Sequence, residues 1–175
     1  MKLLILATIL LVVYGCGTIP KSKQADFLPL KDAREIEGEY ENYPDNNTKH
    51  EYQTINNIIN WKANKTDTSK VLRVKINATD QTVEFVSYKL NGQINARKVK
   101  YVLKDNGFML LKNRNFRLTG IPYILGYYDI KKIEIGLTNQ KDLIINGIEE
   151  SEGALLFVLG SSSPKHHFEY TFKRK

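Results

Sequence analysis

The chain has 175 residues, of which 42% are hydrophobic and 26% charged, with ten Tyr, seven Phe and one Trp. That composition supplies enough apolar side chains for a core and excludes disorder over most of the length, and the length suggests one domain with a tether. The formal net charge of +7 is spread along the chain without a dense basic run, which argues against nucleic acid as a partner, and a single cysteine excludes an internal disulfide.

The first element in chain order is a leader. Met1 and Lys2 precede an apolar run over residues 3–13, broken only by Thr8. Such a run is too short for a bilayer, which takes roughly 20 residues, and has the length of a signal-peptide core. Val13, Tyr14, Gly15 and Cys16 follow directly. This order resembles the lipobox of bacterial lipoproteins, in which an aliphatic residue, a variable residue and a small residue precede a cysteine. The resemblance implies cleavage after Gly15 and attachment of diacylglycerol to the Cys16 sulfur. Several acyl chains anchor firmly, because each buried CH₂ contributes roughly 0.8 kcal/mol. Residues 1–15 are therefore expected to be a signal peptide, and residues 16–35, with Pro20, Pro29 and few apolar side chains, a lipidated tether. Residue 17 is Gly rather than the Asp that resembles an inner-membrane retention signal, which points to the outer membrane.

A domain is expected over residues 36–175. Residues 37–43 alternate as a strand and stop at Pro44. Thr48 and Glu51 have capping-box spacing, and Tyr52, Ile55, Ile58 and Ile59 have helical spacing, giving a short helix to about Lys62 with Trp61 at its end. Strand patterns dominate from Val71 onward. Asn91-Gly92 and Asp105-Asn106-Gly107 are turn signals between alternating runs, residues 139–142 read as another turn, and residues 160–164 as a loop. Asn146-Gly147 reads as a hairpin turn or a bend in a long strand. The last strand carries Phe168, Tyr170 and Phe172. Eight to ten strands joined by tight turns predict a mainly β fold, an antiparallel barrel or sandwich with one short helix after the first strand.

Gly38-Glu39-Tyr40 on the first strand, followed by a helix and a meander, resembles the Gly-x-Trp strand of the calycin barrels, the lipocalins and fatty-acid-binding proteins, with Tyr in place of Trp. The resemblance implies a lipocalin-like barrel, and a basic residue near the C-terminus, here Arg174, packed on the aromatic ring. It extends to small lipocalin-like lipoproteins of the Bacteroidetes type.

No catalytic constellation emerges. His166 and His167 are neighbours on a strand and point to opposite faces, and His50 stands alone, so no metal site is expected. Ser162 to Lys165 spells Ser-x-x-Lys, but Pro164 and the neighbouring Gly and Ser make it a turn. The acidic runs at Glu37, Glu39 and Glu41 and at Glu149, Glu150 and Glu152 read as solvated strand faces. The densest apolar stretch, residues 119–128, reads either as a core strand with two bends or as a loop at a barrel mouth. Its Tyr123, Tyr127 and Tyr128, together with Trp61, are the candidate contacts for a ligand or partner. The expectation is a non-enzymatic, membrane-anchored lipoprotein of the cell envelope, without a cofactor, that holds a small apolar ligand in its barrel. The alternative is a solid-barrel module that binds or assembles with an envelope protein or glycan.

Overall fold

The computed structural model describes residues 18–23, 26–45, 54–59, 69–88, 94–112, 116–121, 125–155, 159–162 and 165–175. Cys16, Trp61 and Tyr123 lie outside them, as do the segments where a signal peptide, a capping box at Thr48 and a turn at Asn91-Gly92 were expected.

The strands are β1 (Phe27–Leu28), β2 (Gly38–Glu41), β3 (Val71–Asn77), β4 (Thr82–Tyr88), β5 (Ile94–Leu103), β6 (Met109–Lys112), β7 (Phe116–Ile121), β8 (Leu125–Thr138), β9 (Leu143–Leu155), β10 (Leu159–Ser162) and β11 (His166–Phe172). A 3-10 turn spans Ala33–Ile36, and helix α1 spans Ile55–Ile59. All pairings are antiparallel. The sheet runs β2-β3-β4-β5-β6-β8-β9, and β11 adds to β9. The tail after β11 returns to β2: the Glu41 amide donates to the Lys173 carbonyl at 2.8 Å, the Lys175 amide to the Glu39 carbonyl at 2.9 Å, and Tyr40 bridges Arg174. The sheet thereby curls into a nearly closed barrel, as the strand pattern predicted.

Alternation decides what faces inward. Tyr40, Leu72, Val74, Val83, Phe85, Val99, Tyr101, Met109, Leu111, Ile133, Ile135, Leu137, Leu143, Ile145, Phe168 and Phe172 form one buried cluster drawn from every strand of the barrel. Both ends contribute to it. At one end lie Leu30, Ala33 and Ile36 of the 3-10 turn, whose N-cap Asp32 accepts from the Arg34 amide while Glu35 accepts from the Asp32 amide. At the other end lie Ile55, Ile58 and Ile59 of α1.

The helix begins at Thr54, whose hydroxyl accepts from the Asn57 amide, and is shorter within the described residues than its apolar spacing predicted. A buried polar set seats it. Asn42 donates to Ser69 and accepts from the Ile55 amide, and Asn56 donates to Ser87 at 2.7 Å. These bonds satisfy side chains that burial would otherwise penalise.

The tether expected over residues 16–35 is partly folded. Leu30 and Ala33 are core, and β1 pairs with the end of β8. The Phe27 ring stacks on Phe108 at 4.1 Å, over Gly136, where a Cβ would stand 2.8 Å from Phe27. Upstream, the Lys23 amide donates to Glu169 and the Pro20 carbonyl accepts from Asn146. The low apolar content of this segment hid its docking, because its partners are polar groups of distant strands as well as apolar ones.

Candidate functional site

Strands β8 and β9 are longer than the barrel needs. Their barrel halves pair with β6 and β11, at residues 133–135 and 143–149 respectively. Their far halves pair with β7 and β10 instead. β7, β8, β9 and β10 thus form a four-stranded extension with no counterpart on β2 to β5 among the described residues. It leaves the barrel at the α1 end, where β4 ends and β5 begins. The loop expected over residues 160–164 is correspondingly a short strand up to Ser162, and Asn146-Gly147 lies inside β9 rather than at a turn. Gly147 is required there: a Cβ would stand 2.5 Å from Phe168 Cζ and 2.7 Å from the Lys132 carbonyl oxygen.

Register orders the extension into rows. Outermost are Ile121, Leu125, Leu155 and Leu159, then Gly120, Gly126, Ala154 and Gly160. Next come Thr119, Tyr127, Gly153 and Ser161, and then Leu118, Tyr128, Glu152 and Ser162. Asp129 pairs with Arg117 and Ser151 beneath them. Tyr127 and Tyr128 are therefore on adjacent rows of one strand in the extension, and the described parts of residues 119–128 are strand rather than loop. They are not brought together with any other candidate among the described residues.

At the base of the extension the groups turn polar. Ser151 donates to Asp129 at 2.5 Å. Lys131 is buried, 5.8 Å from the Phe168 ring centroid and 3.8 Å from Glu149. Burial holds its pKa below the ordinary lysine value, against the opposing pull of the Glu149 charge. His166 pairs with Glu149 and His167 with Ile148, so the two imidazoles fall on alternate rows and do not converge.

A second polar cluster lies on the outer face beneath the N-terminal segment. Glu134 is 2% exposed, and its carboxylate accepts from Lys104 at 3.0 Å and from Asn146 at 3.0 Å. Asn146 also donates to the Pro20 carbonyl at 3.1 Å, and its oxygen lies 2.7 Å from His167 Nε2. Every member has a partner, so the cluster reads as a structural clasp. No signal in the sequence paired these residues, which are far apart in the chain. The acidic groups of the first strand are surface ion-pair members: Glu39 pairs with Arg73, and Glu41 lies 3.8 Å from Lys175. Among the described residues no group of three or more His, Cys, Asp or Glu is placed to hold a metal ion.

Comparison with protein-family models, with curated proteins and with solved structures finds no match for this chain.

Proposed function

We propose that this chain is a lipid-anchored protein of the bacterial cell envelope, with a non-catalytic, solid barrel that works through its surface. The supporting observation is the continuous apolar cluster that fills the barrel from the 3-10 turn to α1. A barrel packed with its own side chains is a scaffold. The extension is the working surface, because it is sheet that the barrel itself does not require. The anchor rests on the order of charge, apolar run and Val13-Tyr14-Gly15-Cys16, and Gly17 in place of Asp supports placement in the outer membrane. The likeness to lipocalin-like lipoproteins is carried by Gly38, Tyr40 and the return of Arg174.

The carrier reading, a small apolar ligand inside the barrel, requires α1 and the core beneath it to open. Native mass spectrometry of the chain from its own host, with displacement of a fluorescent lipid, separates the two. The solid barrel gives the bare protein mass and no displacement. A co-purifying lipid released by the competitor overturns it. Radiolabelled palmitate tests the anchor independently: label is expected on the wild type and absent from Cys16→Ala.

A further inference from the structure

The inward face of the barrel does not stay apolar along its length. On β8 the core residues Leu137, Ile135 and Ile133 are followed, at the same alternation, by Lys131 and Asp129. On β9, Leu143 and Ile145 give way past Gly147 to Glu149 and Ser151. On β11, Phe172 and Phe168 give way to His166. On β4, Val83 and Phe85 give way to Ser87, which accepts from Asn56 of α1. The apolar core thus ends in a polar ring at the α1 end, where the extension leaves the barrel.

Lys131 is the cation that this ring holds against the core. The residue is 9% exposed, and its Nζ lies 5.8 Å from the Phe168 ring centroid. An ammonium carries three donors. Among the described residues none of them is within hydrogen-bond distance of an acceptor, and the nearest carboxylate oxygen is that of Glu149, at 3.8 Å. Lys104, by contrast, closes on Glu134 to 3.0 Å. The fully enclosed side-chain atoms that lack a hydrogen bond are Thr82 Oγ1 and Glu150 Oε2 among the described residues. Lys131 Nζ is not one of them, so it keeps an opening to solvent. The Glu149 side chain, 53% exposed, stands at that opening.

This placement suits an amine that reacts as a nucleophile. Its donors are unused, so losing a proton forfeits no hydrogen bond. The Phe168 ring and the buried stem disfavour the charged form, and burial holds the pKa below the ordinary lysine value. A desolvated lysine of this kind forms Schiff bases with carbonyl compounds. The narrow opening restricts such a compound to a small one.

We propose that Lys131 captures a small aldehyde or ketone as an imine at the root of the extension. The ammonium first gives a proton to Glu149 or to water, and the freed lone pair bonds to the carbonyl carbon. The carbonyl oxygen takes up two protons and leaves as water while the carbon–nitrogen double bond forms. The nitrogen keeps its third proton and its positive charge, which then faces Glu149. Nothing is oxidised or reduced in the step. This capture goes beyond the surface reading above and needs neither the lipid at Cys16 nor an empty barrel, so it stands or falls separately.

The test treats the full chain, in detergent at pH 7, with limiting acetaldehyde and cyanoborohydride, which reduces an imine to a stable ethylamine. Peptide mass mapping reads the rate at each lysine, with the exposed Lys75 and Lys100 as surface references. Ethylation of Lys131 is expected to be about fivefold faster than of either. In guanidinium the three are expected to react alike, because the fold and not the neighbouring sequence tunes the amine. Lys131→Met is expected to lose the fast phase. Ethylation of Lys131 at or below the rate of Lys100 overturns the proposal and leaves Lys131 as a packing residue. So does a preference for Lys131 that survives unfolding, or a fast phase that persists in Lys131→Met. The comparison of sites within the wild type decides even if that variant does not fold.

Discussion

The guanidinium of Arg174 lies 5.8 Å from the Tyr40 ring centroid and donates to the Glu37 carbonyl at 2.6 Å. One side chain thus ties the last residues of the chain to both the first barrel strand and the turn before it. Gly38 makes room for it: a Cβ there would stand 3.0 Å from Arg174 Nη2. Arg174→Ala is expected to lose about 2 kcal/mol of stability in urea unfolding, from the charged hydrogen bond and the cation–π contact together. Gly38→Ala displaces the same group, so its cost in the Arg174→Ala background is expected to be smaller than in the wild type. Full additivity of the two would refute the closure role.

Tyr40 is fully buried, and its hydroxyl donates to the Ile36 carbonyl at 2.6 Å. Burial pushes its pKa up to about 12, only partly offset by the Arg174 charge. A raised folded-state pKa means that the folded chain holds this proton after the unfolded chain has released it. The corresponding stability, about 2–3 kcal/mol, is present below pH 10 and lost as pH rises from 10 to about 12. Tyr40→Phe is expected to remove that part of the alkaline decline, at the cost of a lower plateau at neutral pH. Parallel stability–pH curves for the two proteins over this window would contradict the assignment.

Lys131 gives a slope of the opposite sign. Its pKa is held down by burial, so the unfolded chain binds the proton more tightly and stability rises as pH climbs toward the ordinary lysine value. Lys131→Met keeps the stem beside Phe168 and removes the buried charge. The variant is expected to be at least as stable as wild type at pH 7, and its advantage should shrink as pH rises. Marked destabilisation at neutral pH would show that the pair with Glu149 outweighs desolvation.

Asn146 joins the outer-face clasp to the N-terminal segment. Asn146→Ala removes a hydrogen bond from the buried Glu134 carboxylate and the bond to the Pro20 carbonyl, with an expected loss of about 2–3 kcal/mol. The segment should then open locally, and limited trypsin digestion should cut after Lys21 or Lys23 faster than in wild type. Unchanged cleavage would mean that the segment docks without this residue.

Gly147 is a packing constraint inside β9. Gly147→Ala forces a Cβ against Phe168 and against the backbone of β8, with an expected cost of about 2–3 kcal/mol. Phe168→Leu in the same chain should recover part of it, measured as a coupling in a double-mutant cycle.

Much of this was legible in the sequence, because it depends on neighbours in the chain. Alternation in β3, β5 and β11 fixed which residues face inward, since a strand's side chains have a period of two. The turns at residues 105–107 and 139–142 were marked by their Asp, Asn and Gly residues; Gly107 takes φ +81°, whereas Lys141 at +67° is a position that its residue type did not announce. The Gly38-x-Tyr40 pattern with Arg174 was legible through resemblance, and the contact is present. The order of Lys2, the apolar run over residues 3–13 and Cys16 is likewise a property of sequence alone. The tertiary structure decided what depends on pairing between distant segments. A hydrophobic run at residues 154–159 is locally the same whether it is buried core or the edge of an extension. Only strand register sets Leu155 beside Leu125 and Leu159, and only the lengths of β6 and β11 show where the barrel stops. The docking of Pro20, Lys23 and Phe27 was hidden for the same reason: their partners, Asn146, Glu169 and Phe108, lie more than seventy positions away in the chain.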